Sequence, residues 1–298
     1  MVGPKPEQLA HSEQLVPTRV GLVVHPTRDV RDPMSELRSW AELRGSQLVQ
    51  VDASCQQQRV AQQGQAERCD LLVSIGGDGT ALAAIRAGAE VRRPVLAVAC
   101  GSLGILTAVP AMHIVEALER FSQGEWTPRS LPALEVTHAG QMLLALNDIA
   151  LVRAGSGQVR VSIEVDGELF ARLAGDGCVA STPAGSSAYA LAADGPLLAP
   201  ELEAILITPL PTHGGSQPPL VVRANSVIGL SPLPGHGVAR LEHDGQIAGS
   251  LDGPLTIRFR AAVATVVSFT DQASFLTVLR ERGVITDSPR ILVEDARS

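Results

Sequence analysis

Residues 71–80 read Leu-Leu-Val-Ser-Ile-Gly-Gly-Asp-Gly-Thr. The first five form an apolar run with strand character, and Ala81 to Ala89 beyond them reads as a helix. Strand, glycine turn and helix start in succession make a phosphate-binding arrangement. Glycines let the backbone come close to a phosphate, and free N–H groups at the helix start point at it. The carboxylate of Asp78 sets this turn apart. A loop that only holds phosphate gains nothing from a negative charge. A loop that deprotonates a hydroxyl beside a phosphate, or holds Mg2+ against it, uses one. The competing reading of residues 76–80 is a tight turn whose aspartate caps the helix.

Outward from this turn, strands and helices alternate. Thr18 to His25, Gln47 to Val51, Leu71 to Ile75 and Pro94 to Cys100 read as strands. Met34 to Arg44, the run after Thr80 as far as about Gly88, and Met112 to Phe121 read as helices. Residues 52–68 are polar and glutamine-rich, and are expected to form a helix and loops. This alternation predicts a parallel sheet covered on both faces, with ligands at the carboxyl ends of the strands. Two glycine turns, 76–79 and 101–104, fall at such ends.

The pattern changes near Trp126-Thr127-Pro128. Leu131 to Thr137, Met142 to Arg153, Val159 to Val165 and Leu169 to Leu173 read as extended, as do five further runs between Ala204 and Phe259. Asp166-Gly167 and His243-Asp244-Gly245-Gln246 are hairpin signals. Gln272 to Arg282 reads as a helix that packs back on the first half. The expected organisation is an arm over 1–17, an α/β Rossmann-like domain over 18–127 with 271–298 added to it, and a β-rich, sandwich-like domain over 128–270.

Composition narrows the function. The chain has 298 residues, 45% of them hydrophobic, and a formal net charge of -7. An acidic balance argues against a nucleic-acid partner. No run of about 18 apolar residues appears, so no membrane span is expected. Residues 1–17 lack the apolar core of a signal peptide. Cys55, Cys69, Cys100 and Cys178 are scattered and read as reduced thiols, which places the protein in the cytoplasm. The seven histidines show no metal-ligand spacing, and no metal-ligating residue is assigned. Lys5 is the only lysine. A Walker-type phosphate loop, a kinase strand lysine and a Schiff-base lysine are therefore excluded from the body of the chain. Backbone N–H groups, Mg2+ and arginine are left to handle phosphate.

Two further motifs carry chemistry. Gly175 to Tyr189 reads Gly-Asp-Gly-Cys-Val-Ala-Ser-Thr-Pro-Ala-Gly-Ser-Ser-Ala-Tyr, an apolar run passing into small and hydroxyl residues and then a helix. Tyr189 is the only tyrosine, and either stacks on a base or packs in the core. Asn147-Asp148 sits inside the apolar run Leu143 to Val152. A carboxylate there needs a partner, for which vicinal ribose hydroxyls serve, unless the pair marks a bulge or a strand end.

Taken in order, these motifs resemble the NAD kinase family. Residues 76–80 match its glycine-aspartate pentapeptide, and 101–107, Gly-Ser-Leu-Gly-Ile-Leu-Thr, are similar to its Gly-x-Leu-Gly-Phe-Leu segment. Asn147-Asp148 matches its Asn-Glu/Asp pair. Asp176 to Tyr189 resembles its most diagnostic stretch. Ile207-Thr208-Pro209 with His213, and Asp244-Gly245-Gln246, resemble later landmarks. The resemblance implies a Rossmann-like first domain, a β-rich second domain and an active site between them. It implies Mg2+-dependent transfer of the ATP γ-phosphoryl, or that of polyphosphate, to the 2′-hydroxyl of the adenosine ribose of NAD. It further implies Asp78 as general base or metal-orienting carboxylate, with Gly76, Gly77, Gly79 and Thr80 along the phosphates. Asn147 and Asp148 would hold ribose hydroxyls and Asp176 would contact the nicotinamide end. Thr182, Ala184, Ser187, Ala188 and Tyr189 would enclose the dinucleotide. Relatives assemble as homodimers or homotetramers.

This chain departs from the family pattern at Ala99 (usually Asn), Ile105 (Phe), Ala108 (acidic), Ala184 and Ser187 (Thr), Asp194 (Gly) and Pro218 (Arg). The acidic groups that phosphoryl transfer needs persist, so an active, divergent enzyme is expected. The alternatives are a non-catalytic dinucleotide-binding relative and a diacylglycerol- or sphingoid-type lipid kinase, which shares only the pentapeptide.

Overall fold

The structure, a computed structural model, describes residues 16–53, 58–107, 109–235 and 237–291. Cys55, Ala108 and the arm expected over 1–17, apart from Val16 and Pro17, lie outside them. Two compact units make up the chain: one runs through Arg129 and resumes at Ala264, and the other is Ser130–Val263.

The first unit is built from β1 (Arg19–Val24), α1 (Arg31–Arg44), β2 (Gln47–Val51), β3 (Gln62–Gly64), β4 (Leu71–Gly76), α2 (Asp78–Val91), β5 (Val95–Ala99), β6 (Val109–Pro110) and α3 (Ile114–Ser122). The strands lie in the order β3-β2-β1-β4-β5, all parallel. Alternation along each strand sends Val20, Leu22, Val24, Leu71, Val73, Ile75, Leu96 and Val98 to one face. There they form one core with Met34, Leu37 and Trp40 of α1 and Ile114 and Leu118 of α3. Glu119 Oε1 accepts from Trp40 Nε1 (2.7 Å) and Arg44 Nε (2.9 Å), tying the two helices together. α2 lies against β1, β4 and β5. The polar stretch before β4 differs from expectation. Its described residues hold β3 and a 3₁₀ turn, Ala66–Arg68, and no α-helix. The buried amide of Gln50 explains this: it donates to Gln58 O (2.9 Å) and accepts from Val60 N (2.9 Å), so side chain takes the place of helical hydrogen bonds.

The second unit holds β7 (Thr127–His138, from Ser130 onward), β8 (Gln141–Ala145), β9 (Asp148–Ala154), β10 (Val159–Val165), β11 (Glu168–Gly175), β12 (Gly177–Ser181), α4 (Tyr189–Ala192), β13 (Ala204–Pro209), β14 (Leu220–Arg223), β15 (Ile228–Pro232), β16 (Val238–His243), β17 (Gln246–Ser250) and the first part of β18 (Leu255–Ser268). One antiparallel sheet has the order β14-β13-β12-β9-β16-β17. Against it lie β11-β10-β15-β18 and the β7–β8 hairpin. Leu134, Ile149, Leu151, Val161, Ile163, Ile205, Ile207, Leu230, Leu241 and Ile257 fill the core shared by these layers, the filling expected of a sandwich. Both aspartate-glycine signals are hairpin turns, with Asp166 and Asp244 at φ 53° and 47°. The run Met142 to Arg153 is not one strand: Leu146 and Asn147 break it between β8 and β9.

The chain then returns to the first unit. Val266 of β18 pairs parallel with Val95, and Val267 and Phe269 join that unit's core. α5 (Phe275–Glu281) follows, capped by Ser274, whose Oγ accepts from Thr277 N (3.2 Å). It is shorter than the helix expected over 272–282 because the Ser274 cap sets its start. Among the described residues no helix is long and apolar enough to cross a membrane.

Candidate active site

In the first unit, β4 ends at Gly76 and α2 begins at Asp78, so the glycine turn stands at a strand's carboxyl end and a helix's amino end. Asp78 does not cap that helix; no side-chain cap bond is made at its start. Its carboxylate reaches instead to the 104–107 segment beyond β5. Oδ1 accepts from Leu106 N (3.1 Å), Thr107 N (3.3 Å) and Thr107 Oγ1 (3.3 Å). Oδ2 accepts from Ile105 N (3.1 Å) and from Arg282 Nη1 (2.7 Å). Gly104 makes this approach possible, because a Cβ there would fall on the Asp78 carboxylate. Thr107 Oγ1 also accepts from Gly104 N (2.9 Å), which closes the segment on itself. Gly79 has open space beside it, while Thr80 is buried and its N–H returns to Gly77 O (3.0 Å).

Arg28 stands over the same strand ends. Its Nη1 donates to Cys100 O (2.6 Å) and lies 3.8 Å and 3.5 Å from where a Cβ would stand on Gly77 and Gly101. The turn that carries it is fixed by His25, whose Nδ1 accepts from Thr27 N (3.1 Å) and Arg28 N (2.9 Å). Burial, and then the Arg28 charge, push the His25 pKa below its ordinary value, in keeping with an acceptor nitrogen. A groove of about 460 Å³ runs past Arg28, Cys100, Gly101 and Met112.

In the second unit, Asn147 occupies the break before β9 and Asp148 is the first residue of that strand. The strand-end reading of the pair thus holds for Asn147, while Asp148 is buried at 6% exposure. The break has a cause in the β16–β17 hairpin. Asp244 turns its carboxylate onto the chain and accepts from Leu146 N (3.0 Å), Asn147 N (2.7 Å) and Asp148 N (3.3 Å). From the other side Thr182 N donates to Asn147 O (2.9 Å), and Thr182 Oγ1 donates to Leu146 O (2.7 Å). Gly185 leaves no room for a Cβ against the Asn147 carbonyl. Asp148 pays for this crowding with a pKa pushed up to about 7, chiefly by burial and then by the Asp244 and Glu242 carboxylates, against the opposing N–H of Tyr189.

Asp176 sits between β11 and β12, half exposed, in an ion pair with Arg153 Nε (2.9 Å). The hydroxyl-rich stretch after β12 forms a 3₁₀ turn, Ala184–Ser187, followed by α4. Its hydroxyls are largely consumed at home: Ser186 Oγ donates to Pro183 O (2.6 Å) and Ser187 Oγ to Ala184 O (2.8 Å). Thr182 is fully buried and Ala184 nearly so; their contribution is the shape of the turn. Tyr189 is 39% exposed, so it is not a core residue. Burial and the charges of Glu242, Asp148 and Asp176 raise its pKa, which places all four groups in one neighbourhood with Arg240.

The structure therefore gathers Asp148, Asp176 and Tyr189, and sets Gly76 to Thr80 around Asp78. Sequence reasoning missed Arg28, Arg282, the donor role of residues 105–107, Glu242, and Asp244 as the clamp on Asn147-Asp148. The single lysine was the signal pointing to arginine. Nothing local marked which arginines. Among the described residues no cluster of three or more acidic, cysteine or histidine side chains could hold a metal ion.

Comparison with known proteins agrees with these motifs. A model of the ATP-NAD kinase N-terminal domain matches residues 41–126, and one of the ATP-NAD kinase C-terminal domain matches 146–268. A NAD kinase from Desulforamulus reducens is 32% identical over 276 residues, covering 88% of this chain and 96% of that one. One from Acidobacterium capsulatum is 33% identical over 279 residues, covering 89% and 97%. Among solved structures, yeast NADH kinase complexed with NADH superposes with a TM-score of 0.77 at 24% identity, covering 91% of this chain and 89% of that one. A NAD kinase from Archaeoglobus fulgidus in complex with ATP gives 0.69 at 24% identity, covering 90% and 100%. At that identity the two structures speak for the fold alone.

Proposed function

The chain belongs to the NAD kinase family, and we propose that Asp78 is the general base with which it phosphorylates NAD from ATP. The observation that carries the assignment is the anchoring of one carboxylate, at the glycine turn, by three backbone N–H groups and a hydroxyl of residues 105–107. A 2′-hydroxyl is a poor nucleophile, and a fixed carboxylate within reach of its proton is what the step requires. The proton passes to Asp78 as the 2′-oxygen forms its bond to the γ-phosphorus. The bond from that phosphorus to the β–γ bridging oxygen breaks, and ADP leaves with the electron pair.

In this reading Gly76, Gly77, Gly79 and the start of α2 serve the phosphates, with Thr80 packed beneath them. Asn147 and Asp148 accept and donate to ribose hydroxyls. Asp176 serves the nicotinamide end, and Ala184, Ser187, Ala188 and Tyr189 wall the dinucleotide, with Thr182 holding the turn. Among the described residues no group of three or more acidic, cysteine or histidine side chains would cage a metal ion. Mg2+ would be carried by the ATP phosphates, whose charge it would offset. A closed homodimer or homotetramer and a cytoplasmic location complete the proposal.

The test is formation of NADP from NAD, ATP and Mg2+, read with an NADP-specific dehydrogenase. Asp78→Asn should lower kcat by about 10²–10⁴-fold, the range for loss of a general base. An Asp78→Asn enzyme as fast as the wild type would remove Asp78 from the chemistry.

A further inference from the structure

The Asp78 carboxylate has more partners than its positioning requires. Residues 105–107 supply both oxygens with donors by themselves. Arg282 adds a guanidinium to Oδ2 at 2.7 Å, from a position 204 residues later in the chain. Arg282 follows α5 directly as its C-cap. Among the described residues its guanidinium is paired with Asp78 alone. A guanidinium carries five N–H donors, so most of its capacity is uncommitted. Both side chains remain open to solvent, at 38% for Arg282 and 29% for Asp78.

Phosphoryl transfer spreads charge over the three equatorial oxygens of the moving group, and fixed cations supply much of the catalysis. The one lysine of this chain is Lys5, so that cation is an arginine or the ion carried by the nucleotide. Arg28 is another guanidinium near these strand ends, but its Nη1 is turned to the Cys100 carbonyl, whereas Arg282 is bonded to the Asp78 carboxylate itself.

We propose that Arg282 is a catalytic residue, which contacts the γ-phosphoryl group during its transfer. The inference rests on Asp78 being the base. A group that takes the proton of the attacking hydroxyl lies next to the phosphorus under attack, and Arg282 is one hydrogen bond away from that group. As Asp78 receives the proton, its hold on the guanidinium weakens. The N–H donors of Arg282 then turn to the phosphoryl oxygens as charge develops there. No atom beyond those of the transfer itself is exchanged, and Arg282 keeps its protons throughout.

A tether role for the same ion pair predicts something different: loss of stability without loss of rate in the folded enzyme. The experiment is steady-state NADP formation by the full chain carrying Arg282→Ala or Arg282→Lys, with Asp78→Asn alongside. The expected result is a fall in kcat of about 10²–10³-fold for Arg282→Ala, with the KM for NAD within about twofold. Arg282→Lys retains the charge and much of the stem, and so keeps the fold. It should still lose about tenfold or more, because an ammonium does not reproduce the planar donor fork. Added guanidinium ion should restore part of the rate of Arg282→Ala and none of the rate of Asp78→Asn. A kcat within about threefold of wild type in the folded Arg282→Ala or Arg282→Lys enzyme would overturn the proposal. If Asp78→Asn is also fully active, the assignment of Asp78 fails and takes this inference with it; if Asp78→Asn is inactive, the failure belongs to Arg282 alone.

Discussion

Asp78 and Asp148 stand one in each unit, both beside glycine-rich turns, and their surroundings are opposite in kind. Asp78 is ringed by donors: three backbone N–H groups, a hydroxyl and a guanidinium. Asp148 is buried beside two carboxylates, with the Tyr189 N–H as its one named relief. The first setting fixes a group in place. The second leaves a group ready to exchange its proton near neutral pH and short of hydrogen-bond partners, which is what the proposed contact to vicinal hydroxyls requires. Two aspartates that look alike in sequence are thus prepared for different work by what is packed around them.

The comparison breaks most sharply at Gly104. A methyl group there would fall on the Asp78 carboxylate, so Gly104→Ala must displace it from its donors. The expected loss is about 10²-fold in kcat, the scale of an ångström-sized misplacement of a reacting group, with NAD binding retained. Steady-state kinetics beside a titration with NAD would decide it. An unchanged kcat would mean that the donor ring is irrelevant to turnover.

The other side of the comparison is sharpened by pH. The folded pKa of Asp148 is raised from 3.8 to about 7. The folded protein therefore holds a proton that the unfolded chain has released, so this group's contribution to stability is complete below 3.8 and is lost as pH rises to about 7. Asp148→Asn stays neutral throughout. Thermal melts between pH 4 and pH 8 should show the variant gaining on the wild type as pH rises. Parallel curves for the two proteins would mean that burial and the neighbouring carboxylates do not raise Asp148 toward neutrality.

The smallest effect is expected at Asp176. Its ion pair with Arg153 is half exposed, and such pairs contribute about 0–1 kcal/mol. Arg153→Ala should shift the thermal midpoint by only a few degrees at most, since about 1 kcal/mol moves the midpoint of a unit of this size by about 2–8 °C. A larger loss would show that Asp176, unlike Asp78 with its backbone donors, depends on its cation for position.

What the sequence made legible follows from the range of the interactions involved. The parallel sheet, its covering helices and the aspartate-glycine hairpins rest on periodicity and turn chemistry within a few residues, and they were readable. A strand end at Asn147 was one of two readings open, and the clamp that imposes it was not legible, because it is a carboxylate 96 to 98 residues away. Arg282 was hidden for the same reason, and so was the reach of Asp78 to residues 105–107, which are 27 to 29 positions on. The loop after β2 was misread because a buried glutamine, Gln50, satisfies it from the side. In each case a polar side chain bonds a group outside its own local segment, a backbone or, for Arg282, a carboxylate, and no local pattern announces such a bond.

The return of the chain at Ala264 has a consequence for biogenesis. Val267 and Phe269 belong to the core of the first unit, and residues 130–263 are made before them. A nascent chain emerging from the ribosome ordinarily completes its N-terminal domain first. Here that domain still lacks two core side chains, and the guanidinium beside Asp78, until translation has passed the whole of the second. Until residues 264–282 have been made, the glycine turn is without its full support, and Asp78 is without its guanidinium.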